Sequence, residues 1–284
     1  MGTVKIESGT LTLPIGSLAA GDKLFWQSWT PDAPRAVVLL AHGYAEHLGR
    51  YQHVAERFAR DGIATFAIDH WGHGRSDGTR GFVPRFGVFL DGLRALHAHI
   101  TTRHPDLPVF LVGHSMGGLI SVAHLLEAQG NFAGAVLSGP AVKPAEPPSV
   151  ATRVIGRLLS RFAPKAGILQ LDSAAVSRDP AVVAAYRSDP LVHTGKMSAR
   201  LASEMLDTMT MVQDRAGQIA LPLLLVHGSE DRLASPVGAR ELFEKIAAPD
   251  KEFHDFLGLY HEVFNEPEQD EVLDLVCTWI AKHI

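Results

Sequence analysis

The sequence feature that most constrains the fold is a serine between a short apolar run and a helical segment. The apolar run covers residues 107–112, and G-H-S-M-G-G follows at 113–118, with Ser115 in its centre. Glycines on both sides let the backbone turn sharply and let neighbouring elements approach closely. A buried strand, a G-x-S-x-G turn and a helix, in this order, favour a nucleophilic serine exposed at the end of a strand. The alternative for Ser115 is a solvated serine in an ordinary glycine-rich turn.

Apolar runs and helical patterns alternate along most of the chain. Continuous apolar runs of the kind found in strands buried on both faces occur at 35–42, 63–68, 133–138 and 221–227. Weaker strand patterns occur at 9–15, 23–30 and 251–257, and helical patterns at 50–60, 87–103, 236–247 and 268–282. This alternation predicts an α/β fold, with a mostly parallel central sheet and helices on both of its faces.

The alternation stops once, between the runs at 133–138 and 221–227. The intervening segment has about 80 residues, which is too long for a loop in a compact domain. It begins with several prolines and then shows helical patterns. We therefore expect a helical cap at 141–210, between a first part of the core at 1–140 and a second part at 211–284. Such a cap would cover the C-terminal edge of the sheet, where open α/β sheets bind their ligands.

Composition narrows the classes of function. The net charge of -5 argues against nucleic acid as a partner. The single cysteine, Cys277, excludes an intramolecular disulfide and fits a reducing compartment. The sequence shows no signal-peptide pattern and no apolar stretch long enough to span a bilayer. We expect a cytoplasmic protein, with peripheral association with a membrane as a further expectation.

A serine hydroxyl becomes a nucleophile only when a base lies within hydrogen-bond reach and a carboxylate orients that base. In a sheet of this kind the acid and the base follow the serine in chain order, each after a strand. Asp231 follows the run at 221–227 and is the predicted acid, with Glu230 as the fallback. His261 follows the strand near 251–257 and is the predicted base. His254 competes with it but lies inside that strand.

The tetrahedral intermediate of such a reaction needs two backbone amides that stabilise its oxyanion. One is predicted to be the amide of Met116, which directly follows the serine. The second should come from the loop after the apolar run at 35–42, where Tyr44 is the candidate.

Neither a metal nor another cofactor is expected. His70 and His73 lie near Asp69, but a tight turn at the end of a strand explains this cluster equally well. A zinc motif of the form H-E-x-x-H starts at His261 and fails, because Asn265 stands at its last position.

Longer motifs resemble those of the bacterial monoacylglycerol lipases, which have the α/β-hydrolase fold. They are H-G-Y-A-E-H followed by R-Y at 42–51, D-H-W-G-H-G-R-S at 69–76, G-H-S-M-G-G at 113–118 and H-G-S-E-D at 227–231. The first of these strings is the most discriminating, and the resemblance covers nearly the whole chain. The sequence departs from the family pattern in two places. Tyr44 is bulky where the family commonly has a small residue, and the cap sequence resembles the family only weakly.

This resemblance implies a serine hydrolase that cleaves monoacylglycerols into glycerol and a fatty acid through an acyl-enzyme intermediate. It assigns the nucleophile, acid and base to Ser115, Asp231 and His261, and contacts with the glycerol end of the lipid substrate to Glu46, Arg50 and Tyr186. The alternatives are a broader carboxylesterase or lysophospholipase of the same fold, and a binding protein with this fold but without turnover.

The cap contains one strongly amphipathic helical segment. Val150, Val154, Leu158 and Phe162 are spaced four apart, and three arginines form another stripe. Residues 141–165 carry five basic residues and one acid, which gives this segment a charge of +4. Two hypotheses stay open. The apolar face contacts a lipid interface, as basic amphipathic helices do, or it packs on the core of the protein, and the two can coexist.

Overall fold

The computed structural model describes residues 3–284, and its central element is an eight-stranded sheet. The strands of the chain are β1 (Val4–Thr12), β2 (Lys23–Pro31), β3 (Ala36–Ala41), β4 (Ile63–Ile68), β5 (Val109–His114), β6 (Gly134–Ser138), β7 (Gly167–Leu169), β8 (Met197–Ser198), β9 (Leu223–Gly228) and β10 (Lys251–Phe256). The helices are α1 (Gln52–Arg60), α2 (Gly87–Arg103), α3 (Met116–Ala128), α4 (Val150–Phe162), α5 (Pro180–Ser188), α6 (Ala199–Arg215), α7 (Pro236–Lys245) and α8 (Gln269–Lys282).

The sheet has the order β1-β2-β4-β3-β5-β6-β9-β10. From β4 to β10 all neighbours are parallel, whereas β2 pairs antiparallel with both β1 and β4. The predicted α/β fold with a mostly parallel sheet is confirmed. The first strand begins at Val4 and not near residue 9, because this edge strand is half exposed and lacks the continuous apolar run of a central strand.

Two apolar layers enclose the sheet, one on each face. In β3, Val37 and Leu39 point into the layer formed with α2, α3 and α7, while Val38 and Leu40 point into the layer formed with α1 and α8. This alternation follows from the period of two along a strand. Since all six residues of β3 are buried, the strand has no solvent-facing side.

The insertion between β6 and β9 contains α4, α5 and α6, together with the short antiparallel pair β7 and β8. This short strand pair was not expected from the sequence. The division into a core at 1–140 and 211–284 and a cap at 141–210 stays a prediction. Its second boundary falls inside α6, which continues to Arg215. Within residues 3–284, no helix is long and apolar enough to cross a membrane.

Candidate active site

Ser115 lies in the turn between β5 and α3 with φ 52° and ψ -118°, a strained conformation for a residue with a side chain. Its N–H donates to the carbonyl of Ser138 (3.0 Å), and its own carbonyl accepts from the amide of Ala141 (3.0 Å). Gly117 permits this turn, because a Cβ at that position would overlap the carbonyl oxygen of Ala41 on β3. The neighbouring strands therefore hold the serine in its strained conformation.

The loops after β9 and β10 bring the predicted acid and base to this serine. His261 Nε2 lies 2.7 Å from Ser115 Oγ, and His261 Nδ1 lies 2.7 Å from Asp231 Oδ2. The side chains considered as alternative base and acid, His254 and Glu230, make no hydrogen bond to Ser115, Asp231 or His261. His254 contacts Glu252 within β10 (3.3 Å), and Glu230 uses its backbone amide to bond the carbonyl of Leu259. This geometry can move a proton from the serine to the imidazole.

The pair formed by Asp231 and His261 is electrostatically polarised. Burial alone would raise the pKa of Asp231, but the hydrogen bonds and charges of His261 and His227 hold it well below its usual range. Burial alone would lower the pKa of His261, and the carboxylate of Asp231 reverses this effect, so the net shift is upward. The pair therefore favours an imidazolium that forms next to a carboxylate.

A set of fixed polar contacts orients the peptide between Gly43 and Tyr44. His42 Nε2 accepts a hydrogen bond from the amide of His70 (3.0 Å), so the proton of this buried ring is on Nδ1, which donates to the carbonyl of Gly43 (2.7 Å). Because that peptide is trans, its N–H, which belongs to Tyr44, points away from His42. Within residues 3–284, neither this amide nor that of Met116 donates to a protein acceptor.

Two of the predicted glycerol contacts, Glu46 and Arg50, belong to a buried ion triad with Glu262. Arg50 Nη1 donates to Glu46 (2.7 Å) and to Glu262 (2.6 Å), and its Nη2 donates to the second oxygen of Glu262 (2.6 Å). Tyr51 also donates to Glu46 (2.6 Å), and the guanidinium lies 4.8 Å from the ring centre of Tyr186. Glu262 was not predicted from the sequence, where it stood only in the failed zinc motif. Its position directly after the base was the one available signal.

Two cavities meet at the serine. The larger has a volume of about 670 Å³ and extends under the cap, past apolar residues such as Val142, Met205 and Leu206. The smaller has a volume of about 30 Å³. Its lining combines the apolar side chains of Leu171, Val176 and Leu233 with the polar or acidic ones of Glu46, Asp172, Ser173, Tyr186 and Glu262. Arg50 lines neither cavity and lies behind the acids. Ser115, Tyr44 and His261 border both cavities.

The cap is tied to the loop that carries Tyr44. His47 Nε2 lies 2.8 Å from Asp189 of the cap, and the amide of His193 donates to the carbonyl of Ala45 (2.7 Å). Ala45 has φ 69°, so this loop is strained at the point where the cap holds it. These contacts were not predicted, because they join segments more than 140 residues apart.

The amphipathic helix α4 presents its apolar face to solvent. Val150, Val154, Leu158 and Phe162 are between 53% and 76% exposed, whereas Arg153 and Arg157, on the polar side, line the large cavity. The hypothesis that this apolar face packs on the core is therefore wrong.

Asp69 accepts hydrogen bonds from the amides of Leu48 (2.8 Å) and Arg75 (2.7 Å). It therefore organises the turn that also contains His70 and His73. In the described part of the chain, no group of three or more ligating side chains could hold a metal ion.

Comparison with known proteins identifies the family. The family model for the serine aminopeptidases of group S33 matches residues 32–268. The monoacylglycerol lipase of Mycolicibacterium smegmatis is 45% identical over 265 residues, which cover 93% of this chain and 95% of that protein. The monoglyceride lipase of Rattus norvegicus is 36% identical, with coverages of 94% and 89%. The crystal structure of the Paleococcus ferrophilus monoacylglycerol lipase superposes with a TM-score of 0.82 at 28% identity, over 99% of this chain and 100% of that one. The chain thus belongs to this serine hydrolase family of the α/β-hydrolase fold and, within it, to the monoacylglycerol lipases.

Proposed function

We propose that this protein hydrolyses the ester bond of monoacylglycerols and releases glycerol and a fatty acid. The observation that carries the proposal is the position of Ser115 between a large cavity and a small one. The large, mostly apolar cavity suits one acyl chain, and the small cavity, which the acids Glu46 and Glu262 border, suits the alcohol end of the ester. Relatives named monoacylglycerol lipases along nearly the whole chain support the same substrate class.

The reaction starts with attack of Ser115 Oγ on the ester carbonyl while His261 takes its proton. Asp231 holds the imidazole in the correct tautomer and stabilises its charged form. The amides of Tyr44 and Met116 receive the negative charge that develops on the carbonyl oxygen. His261 then passes the proton to the departing glycerol oxygen, and the acyl group stays on the serine.

The second half of the reaction releases the fatty acid. Water enters where the glycerol stood, and His261 takes a proton from it as it attacks the acyl-enzyme. Collapse of the tetrahedral intermediate returns the proton to Ser115 and frees the acid from the large cavity. No cofactor takes part in either half of this reaction, since the protein groups supply nucleophile, base and oxyanion donors.

The small cavity limits the size of the alcohol part of the ester. Its volume of about 30 Å³ leaves no space for a second acyl chain beside the serine. Glu46 and Glu262 border it, so its surface offers acceptors for the hydroxyls of glycerol and repels a phosphate. Tyr186 also borders this cavity. We therefore propose that these three residues contact the glycerol end, while Arg50 fixes the two acids from behind.

A substrate panel tests this proposal. We expect kcat/KM to be highest for a long-chain monoacylglycerol and lower for di- and triacylglycerols, a lysophospholipid and short-chain p-nitrophenyl esters. Ser115→Ala serves as the inactive control for background hydrolysis. A preference for the lysophospholipid would contradict the substrate assignment. Absence of labelling of folded wild-type protein by a fluorophosphonate would instead favour a binding protein without turnover.

We further propose that the exposed face of α4 contacts a lipid surface. Burial of a large apolar side chain contributes about 1.5–3 kcal/mol when complete. Since Val150, Val154, Leu158 and Phe162 each keep more than half of their surface exposed, each can still contribute about 1 kcal/mol on entering lipid. Residues 141–165 carry a charge of +4, and two of their basic residues, Lys143 and Arg157, pair with Glu241 and Asp207 outside the segment. The remaining basic residues add attraction to anionic headgroups, at about 1 kcal/mol for each one near the surface.

Vesicle sedimentation separates this role from a structural one. We expect Val154→Glu combined with Leu158→Glu to weaken binding to anionic vesicles and to lower activity on emulsified monoacylglycerol. Activity on a water-soluble short-chain ester should be retained. The matched control is Ile6→Glu with Ile284→Glu, which changes two exposed apolar residues outside the cap. Equal vesicle binding by both double variants would contradict the proposal.

A further inference from the structure

The carboxylate of Asp231 accepts four hydrogen bonds. Its Oδ1 receives the backbone amides of Leu233 (2.8 Å) and Ala234 (3.0 Å), which belong to its own turn. Its Oδ2 receives His261 Nδ1 (2.7 Å) and, in addition, His227 Nε2 (3.0 Å). The acid of the candidate triad is thus shared by two imidazole rings.

His227 lies in β9 and is completely buried. Its other ring nitrogen, Nδ1, has no hydrogen-bond partner within residues 3–284. A proton on that nitrogen would be a buried donor without an acceptor, which is costly, so the proton of the neutral ring is on Nε2. Among the described residues, the ring of His227 therefore makes a single polar side-chain contact, its hydrogen bond to Asp231.

We propose that His227 is a positioning residue for the hydrolysis, which holds Oδ2 of Asp231 in the plane that orients His261. The inference rests on the proposed function, since it needs the acid and base to act on Ser115. The two backbone amides bind only Oδ1, and rotation of the planar carboxylate about its Cβ–Cγ bond would move both oxygens away from their donors. The donor from His227 binds Oδ2 and adds to the resistance against this rotation during the steps in which His261 exchanges protons with the serine and the alcohol.

The hydrogen bond from His227 to Asp231 also weakens the negative electrostatic potential at His261. Two other charged or titratable groups face Asp231 and His261. One is His114, whose ring centre lies 4.8 Å from that of His261, and the other is the ion triad of Glu46, Arg50 and Glu262. None of these donates a hydrogen bond to Asp231. Loss of the His227 donor leaves more negative charge on Asp231 Oδ2, so the pKa of His261 should rise further. The acidic limb of the kcat/KM profile should then move to higher pH.

Two amide substitutions at this position make a matched pair. The amide nitrogen of glutamine can stand where His227 Nε2 stands, whereas that of asparagine stands near Nδ1 and does not reach Asp231. We expect His227→Gln to keep kcat near that of the wild type. We expect His227→Asn to lower kcat by roughly tenfold or more, with KM little changed, as on removal of hydrogen bonds behind a reactive group in metalloenzymes.

The assay is hydrolysis of a short-chain p-nitrophenyl ester across pH, with melting temperatures measured for all three proteins. A low kcat and a shifted acidic limb in His227→Asn, both restored in His227→Gln, support the inference. Equal kcat in the two variants would overturn it, and so would losses that follow the melting temperature and leave the pH profile unchanged. If only His227→Gln folds, a normal pH profile supports the inference and a shifted one overturns it.

Failure of the proposed function gives a different result. A wild-type protein that cleaves the short ester but no monoacylglycerol refutes the substrate assignment, while the comparison of variants still decides the role of His227. A wild-type protein that cleaves neither ester refutes the proposed function and this inference together.

Discussion

Removal of the charge of Arg50 should destabilise the protein far more than a substitution of a surface arginine. Its side chain is 11% exposed, and its one positive charge pairs with two acids whose side chains are only 2% and 4% exposed, Glu46 and Glu262. Arg50→Met keeps much of the aliphatic length of the side chain. It leaves two buried acids close together without a cation.

The size of the effect follows from this geometry. Removal of one partner of a buried ion pair costs about 3–5 kcal/mol, because the remaining charge stays buried and unpaired. Here one cation serves two acids through three hydrogen bonds, so we expect a loss near the upper end, about 5 kcal/mol. The free energy of unfolding of a typical domain is about 5–15 kcal/mol, so this loss is a third or more of that stability.

Urea unfolding followed by tryptophan fluorescence measures the change in the free energy of unfolding. Arg57→Met is the matched control, because Arg57 also joins two acids, Asp61 and Asp274, but at the surface. We expect this control to cost no more than about 1 kcal/mol. Glu46→Gln and Glu262→Gln, added to Arg50→Met, should recover much of the loss. If Arg50→Met costs no more than the control, or the added amides recover nothing, our account of the triad is wrong.

Three further predictions concern the reaction itself. Ser115→Ala should lower kcat by a factor on the order of 10⁶ while circular dichroism stays unchanged, and substantial residual turnover would point to another nucleophile. The raised pKa of His261 places the acidic limb of kcat/KM above pH 6.5, the ordinary value for histidine, since activity needs the unprotonated ring and is lost as pH falls through that pKa. A pH-rate profile with its limb below that value would contradict the assignment of the base. His42→Phe should lower kcat by about 10²-fold with little effect on KM, because the Tyr44 amide loses its orientation; a change confined to KM in steady-state kinetics would refute this.

The central strands and the serine turn could be predicted because their signals are local. A strand such as β3 is buried on both faces and therefore appears as an unbroken apolar run. Once the order of strands was clear, the rule that active-site residues follow strands led to Asp231 and His261. Both now lie within one hydrogen-bonded chain with Ser115. Their catalytic roles stay predictions.

The remaining contacts depend on which distant segments meet, and no periodicity encodes that. Glu262 pairs with Arg50 across 212 positions, and Asp189 contacts His47 across 142. The strands β7 and β8 are three and two residues long, too short to show an alternating pattern. The direction in which α4 turns its apolar face was open for a similar reason, because amphipathicity gives a face but not its partner.

The contacts between the cap and the Tyr44 loop have a consequence for protein engineering. Asp189 and His193 belong to the predicted cap, and they bond His47 and the strained Ala45, which follow Tyr44, the predicted oxyanion donor. A foreign cap grafted for a new acyl preference would have to bring equivalents of both residues. A chimera without them would change the cap and would also disturb the orientation of the Tyr44 amide. Its loss of activity would therefore not show how well the new cavity binds the acyl chain.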